Sequence, residues 1–489
     1  MLINKQYMIT TNISIHDKFS VEFKIGFITN NRSSDINKFK IDTWIFVPNS
    51  LDITQETYTK EQFYSDIKSN IRLITPVYTL SEILNGHGPF PRLEKALKKL
   101  EETSSAENEE SYIYQIKMLL CILKSSFREA TNIIFKAKDP ALVLQFISDI
   151  TEVTTRFRTI RDHILTSEIF SNSQKDHILF GDEFLGNTIQ FSAYKIMNKL
   201  QKDPIYKEIK KPLLDLIKRE NENREKMNYS IPVEGDDELN SLILIKKNIL
   251  KKFVESDLYL QTVKLKDGAF AREFYYSLGA GLAMIFATVI SFFATQRFGN
   301  FTSTLFIILV ISYMLKDRIK EISRHYFSSK LDRKYFDHKW DLSIRKQEIG
   351  WLKEGFDFMP DNKIPTEIQN IRNKTSLVEA ESEVYKEKVI LYRKRVSLFK
   401  KDLEKYKEYR LSGINDIFRF NLLSFTKKMD NPEVPIYIPD DNKGFRTIMG
   451  NRVYALYFIL QCETDNDLYY KKYRLLFNRN GISDVSEIE

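Results

Sequence analysis

Two runs without a charged side chain, Phe274 to Thr295 and Phe298 to Leu315, constrain this chain more than any other feature. They hold about 22 and about 18 residues, and roughly 20 apolar residues in a helix cross about 30 Å of hydrocarbon. Gln296 and Arg297 stand between them, and Gly299-Asn300 supplies a turn too short to hold a domain. The alternative, two core helices of a soluble protein, needs neighbours on every side, because neither run carries a polar stripe. In the second run about ten Leu, Ile, Phe and Val residues contribute roughly −0.3 to −0.6 kcal/mol each to insertion. Their sum, on the order of −5 kcal/mol, outweighs Asn300 and a few hydroxyls. The expectation is a two-helix transmembrane hairpin over 274–315.

The flanks orient it. Lys246, Lys247, Lys251, Lys252, Lys264, Lys266 and Arg272 precede the runs, and Lys316, Arg318, Lys320, Arg324, Lys330, Arg333 and Lys334 follow, whereas the turn has Arg297 alone. Excess Lys and Arg marks the cytoplasmic side, so both flanks and both termini are expected in the cytosol. The start, Met1-Leu2-Ile3-Asn4-Lys5, lacks the pattern of a signal peptide. Two cysteines, Cys121 and Cys462, in 489 residues fit a reducing compartment without a disulfide framework. The net charge of +8 clusters beside the apolar runs. Anionic lipid headgroups, met by Lys316, Arg318, Lys320 and Arg324, explain it more simply than nucleic acid does.

The rest of the chain reads as an α+β protein, mainly α, with β-rich modules at both ends and a cytosolic helical bundle. Residues 1–84 form the first module. There Phe19, Val21, Phe23, Ile25 and Phe27 alternate with Ser20, Glu22, Lys24 and Gly26 as in a half-buried strand. Strands are expected at Tyr7 to Ile15 and Ile41 to Val47, and the Thr59/Gln62 capping-box spacing starts a helix expected to reach Leu73. Residues 92–271 give the bundle, with helices near 93–103, 109–136, 140–169, 175–201, 206–227 and 238–268. A juxtamembrane segment over 316–365 follows the hairpin, its aromatic residues (Tyr326, Phe327, Tyr335, Phe336, Trp340) suited to the headgroup level. A long helix is expected over 366–411, where Tyr385, Val389, Tyr392, Val396, Phe399, Leu403 and Tyr406 recur in a heptad seam. That seam can pack on the chain's own helices or on a second copy. Residues 414–489 close the chain with strands near 417–425, 434–438, 445–449, 452–462 and 468–478.

Catalytic patterns are sparse. No phosphate-binding loop or nucleophile elbow is present, and His16, His87, His163, His177, His325 and His338 lack metal-ligand spacing, so no cofactor, metal or catalytic residue is expected. Adjacent Asp182-Glu183 points to different sides of a helix and reads as a helix start or solvated surface, while Arg158 and Asp162, four apart, read as a simple pair. Gly279, Ala283, Ala287 and Ser291 recur every four residues, which permits close helix approach within the hairpin or with another copy.

At Phe63-Tyr64-Ser65-Asp66-Ile67-Lys68, at Ser312 through Glu321 and at Arg474 through Ile482, the chain resembles a family of uncharacterised bacterial two-pass membrane proteins. The resemblance spans most of the length and implies the bacterial cytoplasmic membrane, but no activity or catalytic residue. The expected function is a membrane-anchored interaction or regulatory platform for a cytosolic protein partner. Two alternatives stand beside it: a membrane-disrupting or pore-forming effector, as in antiviral defence, and an enzyme with a noncontiguous site. Homo-oligomerisation is expected through the small-residue face or the seam.

Overall fold

The computed structural model describes residues 8–29, 35–84, 88–299, 302–344, 347–373, 387–404, 409, 412–441, 444–465 and 467–488, with backbone alone for 329–334. The chain is α+β. It divides into a sheet unit, Met1–Arg72 with Leu260–Lys407 and Ser412–Glu489, and a helical unit, Leu73–Tyr259 with Glu408–Leu411.

The helical unit runs through α2 (Leu80–Leu84), α3 (Pro89–Glu102), α4 (Ala106–Ala137), α5 (Pro140–Thr166), α6 (Asn172–Leu200), α7 (Tyr206–Lys226) and α8 (Asp237–Glu255); α1 (Lys60–Asp66) belongs to the sheet unit. Local chemistry sets the helix starts. Ser105 accepts from the Asn108 N–H, Asp139 from Ala141 beside Pro140, and Ser171 and Gln174 make a reciprocal capping box. Ile116, Leu119, Leu120 and Leu123 of α4 are buried with Val143, Ile150 and Phe157 of α5 and Ile178, Leu185 and Ile189 of α6. Sequence and structure agree on the first five helices of this unit's bundle to within a few residues. The sixth does not extend to 268: α8 ends at Glu255, and β5 (Gln261–Lys266) follows, where Val263 and Leu265 alternate with Lys264 and Lys266.

The sheet unit interleaves the two ends of the chain. Its strands are β1 (Ile9–Ile15), β2 (Ser20–Ile28), β3 (Ile36–Pro48), β4 (Ile67–Leu73), β5, β6 (His338–Ile344), β7 (Gln347–Met359), β8 (Glu387–Phe399), β9 (Gly413–Asn421), β10 (Glu433–Asp440), β11 (Gly444–Asn451), β12 (Tyr454–Thr464), β13 (Leu468–Asn478) and β14 (Gly481–Ile488). An eight-stranded sheet has the order β14-β13-β12-β3-β8-β7-β6-β5, a four-stranded sheet the order β1-β2-β9-β4, and β10 pairs with β11 alone. The two larger sheets bury aromatic rings against each other: Phe23, stacked 4.6 Å from Phe418 of its own sheet, lies edge-on 5.2 Å from Phe458 of the larger one. On the opposite side of the larger sheet, Trp44, Phe46, Val389, Leu391, Tyr457 and Ile459 pack under Ile368 of α11 (Thr366–Arg372).

Several expectations are thereby corrected. Residues 1–84 and 414–489 are not separate modules, because β2 pairs with β9 and β3 with β12. The expected juxtamembrane segment over 316–365 is in large part sheet: α10 (Ser303–Lys334) ends within it and β6 and β7 follow. The helix begun at Thr59 stops at Asp66, since Ile67 turns extended and β4 begins.

The heptad helix over 366–411 is replaced by α11, β8 and α12 (Lys400–Glu404). Val389, Tyr392, Val396 and Phe399 lie in β8 and Leu403 in α12, while Tyr385 and Tyr406 fall outside the described residues. β8 sits between β3 and β7 and is covered on both sides, so both parities of its side chains are apolar. Its burial therefore imitates a helical spacing while lacking the alternation that marks a half-exposed strand.

β8 also carries Lys394, whose ammonium is paired with the Asp416 carboxylate, both fully buried; Ser69 donates to the other Asp416 oxygen at 2.9 Å. Lys394→Met leaves Asp416 uncompensated and is expected to destabilise the protein by about 3–5 kcal/mol. The double change Lys394→Met/Asp416→Leu should recover most of that loss in urea-unfolding midpoints.

Candidate functional site

The segment that most distinguishes this chain is inserted in a β-hairpin. β5 and β6 are antiparallel neighbours, with Lys266 opposite His338, and α9 (Ala269–Phe298) and α10 make up most of the chain between them. α9 is the one described helix long and apolar enough to cross a membrane, and only 17% of its apolar stretch is buried. Phe270, Phe274, Met284, Ile285, Phe292 and Phe293 of α9 are exposed, as are Phe306, Ile307, Ile311 and Met314 of α10.

α9 and α10 run antiparallel. Tyr275 packs on Phe327 at 5.2 Å between ring centroids, and a Cβ at Gly279 would lie 3.0 Å from the Ser323 Cβ. Of the small-residue face, Gly279 and Ala283 are buried, and Ala287 and Ser291 line a groove shared with Leu309, Ser312 and Lys316 of α10. Small side chains are what allow this approach. The register has a second consequence. Lys316, the first charge of α10, meets α9 near Met284 and Ala287, so the charged half of α10 lies beside the first half of α9, which is uncharged from Phe274 onward. There Arg318, Lys320 and Arg324 are exposed, Arg324 sits 5.3 Å over the Tyr276 ring, and Lys316 sits 3.9 Å over Tyr313.

Carboxylates absent from the sequence-derived candidates hold the base of this pair. Asp267 precedes α9; it accepts from the Phe336 N–H at 3.1 Å and pairs with Lys353 at 2.9 Å. Asp337 follows α10; it accepts from Lys60 at 2.9 Å, the Tyr64 hydroxyl at 3.0 Å and the Phe356 N–H at 2.8 Å. Gly268, between Asp267 and α9, has φ +67° and lies against the Tyr335 ring, where a Cβ would come within 2.5 Å.

Beside them Glu354 is buried under Trp340 and Tyr392, which donate to it at 3.1 and 2.7 Å, with His338 Nδ1 at 3.3 Å. Burial by itself would raise its carboxyl pKa. The His338 contact, the nearby Lys394 charge and the Tyr392 and Trp340 donors outweigh burial and hold it down at about 2. Burial and the Asp337 and Glu354 charges push the Tyr64 hydroxyl well above the usual phenol range, so it stays a donor.

In the helical unit the structure overturns the reading of Asp182-Glu183 as a helix start or solvated surface. Both are buried in the middle of α6. Asp182 accepts from Arg158 at 3.1 Å, Arg161 at 2.7 Å and Asn223 at 3.2 Å, while Glu183 meets Lys246 at 2.8 Å. Arg158 forks onto Glu220 at 2.7 and 3.1 Å rather than pairing with Asp162, which meets Arg161 instead. These residues are scattered over α5, α6, α7 and α8, so spacing within one helix could not reveal them. Their hydrogen bonds are mutual, which makes the network a lock between helices rather than a poised acid and base. Of the histidines, His163 pairs with Glu101 and His177 stacks on Phe253.

No family model, curated protein or solved structure matches the chain.

The depressed Glu354 carboxyl fixes the sign of one pH dependence. Its contribution is complete above the ordinary value of 4.5 and is lost as pH falls towards 2. Glu354→Gln is expected to lose on the order of 3 kcal/mol at neutral pH and to flatten the decline over that acid window. Urea-unfolding midpoints measured from pH 7 to pH 2 provide the check.

Proposed function

We propose that the protein is a two-pass membrane-anchored platform, with the second half of α9 and the apolar half of α10 in lipid and the sheet and helical units in the cytosol, where they engage a protein partner. The observation that carries this reading is the exposure of α9: a thirty-residue apolar helix with 17% of its apolar stretch buried lacks the cover of a core helix. Two further features support it. Paired strands receive both ends of the insertion, which suits an even number of crossings, and the basic residues concentrate at those ends.

The register sets the level of the bilayer in this reading. Sinking all of α9 would bring Lys316, Asp317, Arg318, Lys320 and Glu321 to hydrocarbon depth, at roughly 2.5–3.5 kcal/mol for each Lys, Arg or Asp near the centre. The apolar residues gained on α9 return only about 0.3–0.6 kcal/mol each. The favoured boundary is therefore near Lys316, and α10 rather than α9 sets the hydrophobic length. From Ser303 to Leu315 that length is roughly 20 Å, against about 30 Å of hydrocarbon. Local thinning at fractions of a kcal/mol per Å is a smaller cost than burying the charges.

Reporter fusions after Asn300 and at Glu489 are expected to lie on opposite sides of the bacterial cytoplasmic membrane. Recovery of the protein in the soluble fraction without detergent would refute the anchor.

One observation favours a second reading, a pore-forming effector. The charged half of α10 beside apolar α9 would find water if several copies surrounded a channel with α10 inward. Overexpression with a potential-sensitive dye separates the two: the platform leaves the membrane polarised, and the pore depolarises it.

A further inference from the structure

We propose that the groove between α9 and α10 binds one anionic glycerophospholipid, with its phosphate and ester oxygens at Ser312 and Lys316 and an acyl chain along the small-residue face towards the tip. This rests on the membrane reading above and adds a specific ligand to it. The groove encloses about 570 Å³, with Met284, Ala287 and Ser291 on one wall and Leu309, Ser312 and Lys316 on the other.

Ser312 is the first sign that something belongs there. It is 3% exposed, and its hydroxyl has no hydrogen-bond partner among the described residues. Thr288 and Thr295, also on the groove, donate to the carbonyls of Met284 and Ser291 four residues back. Ser312 makes no such bond, and a buried hydroxyl in hydrocarbon calls for a partner.

Lys316 is the second. It lies one turn along from Ser312, on the same side of α10. Among the described residues lining the groove it alone is cationic, and its ammonium is steadied over Tyr313 at 3.9 Å. A hydroxyl donor and a cation thus close one end of an otherwise largely apolar channel. That polarity matches a phospholipid, with an anionic head joined to an apolar chain. Lys316 is also the first charge after the apolar run, which puts it at headgroup level in the proposed orientation. A helix from a second copy suits the site less well, because Phe274 to Leu315 contains no acidic residue to meet Lys316.

The test titrates the full-length protein in mild detergent with phosphatidylglycerol or phosphatidylcholine of identical acyl chains and counts bound lipid by native mass spectrometry. One phosphatidylglycerol per chain should be retained, roughly five- to tenfold more tightly than phosphatidylcholine. Lys316→Gln should abolish that preference. Ser312→Ala should weaken both lipids, and Ala287→Leu, which fills one wall, should displace both. Arg446→Gln, on the exposed strand β11, should change neither. Equal retention of the two lipids by the unaltered protein, or an equal effect of Arg446→Gln and Lys316→Gln, would overturn the site while leaving the anchor intact. A dimer that excess lipid does not dissociate would assign the groove to a second copy and overturn it as well. The membrane reading itself would fail separately, if the protein did not float with vesicles of either lipid. Circular dichroism of the Lys316 and Ser312 variants guards against misfolding, and either one with an unaltered spectrum suffices to decide.

Discussion

The sheet unit is organised around one strand. β8 pairs along all of its residues Glu387–Phe399 with β3, and from Val389 to Leu398 with β7. β3 in turn brings in β12, so a segment before residue 50 and a segment after residue 450 become neighbours through it. Antiparallel ladders of backbone bonds on both edges, with packing on both sides, leave β8 little exposed surface on which a register error would be tolerated. The charges it buries are matched accordingly: Lys394 with Asp416 between the sheets, and Arg393 and Arg395 with Asp357 and Asp42.

What could be read in the sequence depended on whether the relevant physics is local. The bundle helices were legible because their caps lie within three residues of their first turns, as at Ser171 and Gln174, and their apolar residues recur on one side. β2 was legible for the corresponding reason, its alternation of apolar and polar residue types over Phe19 to Phe27. β8 was not, because its burial comes from partners elsewhere in the chain, β3 and β7, and erases the period that would have identified it. The same distance explains the misreading of Asp182 and Glu183. Adjacent carboxylates near the middle of a helix imply solvent unless Arg158, Arg161 and Lys246 arrive from other helices, and tertiary packing alone decides that.

The candidate site shows a similar division. The small residues of α9 announced a helix contact by their spacing, and Gly279 and Ala283 do meet α10. Spacing could not give the register of that contact, and the register is what aligns Lys316 with Ala287 rather than with the end of α9. Asp267 and Asp337 carry no sequence signal beyond their position at the two junctions. They become meaningful once β5 and β6 are known to pair, for each then stitches one end of the insertion to the sheet with charged and backbone donors.

That insertion has a consequence for how the molecule is put together. Lys266 and His338 already face one another in the ladder, so the chain between them occupies the place of a β-turn. A turn contributes closure and little else, and a shorter connection closes at lower entropic cost than a long one. The information that folds the sheet and the information that forms the apolar helix pair are therefore written in separate stretches. With residues 268–336 exchanged for a short turn, β5 and β6 would keep their partners and every other strand its neighbours. The apolar helix pair is an accessory to the fold, so the sheet does not depend on where that pair resides.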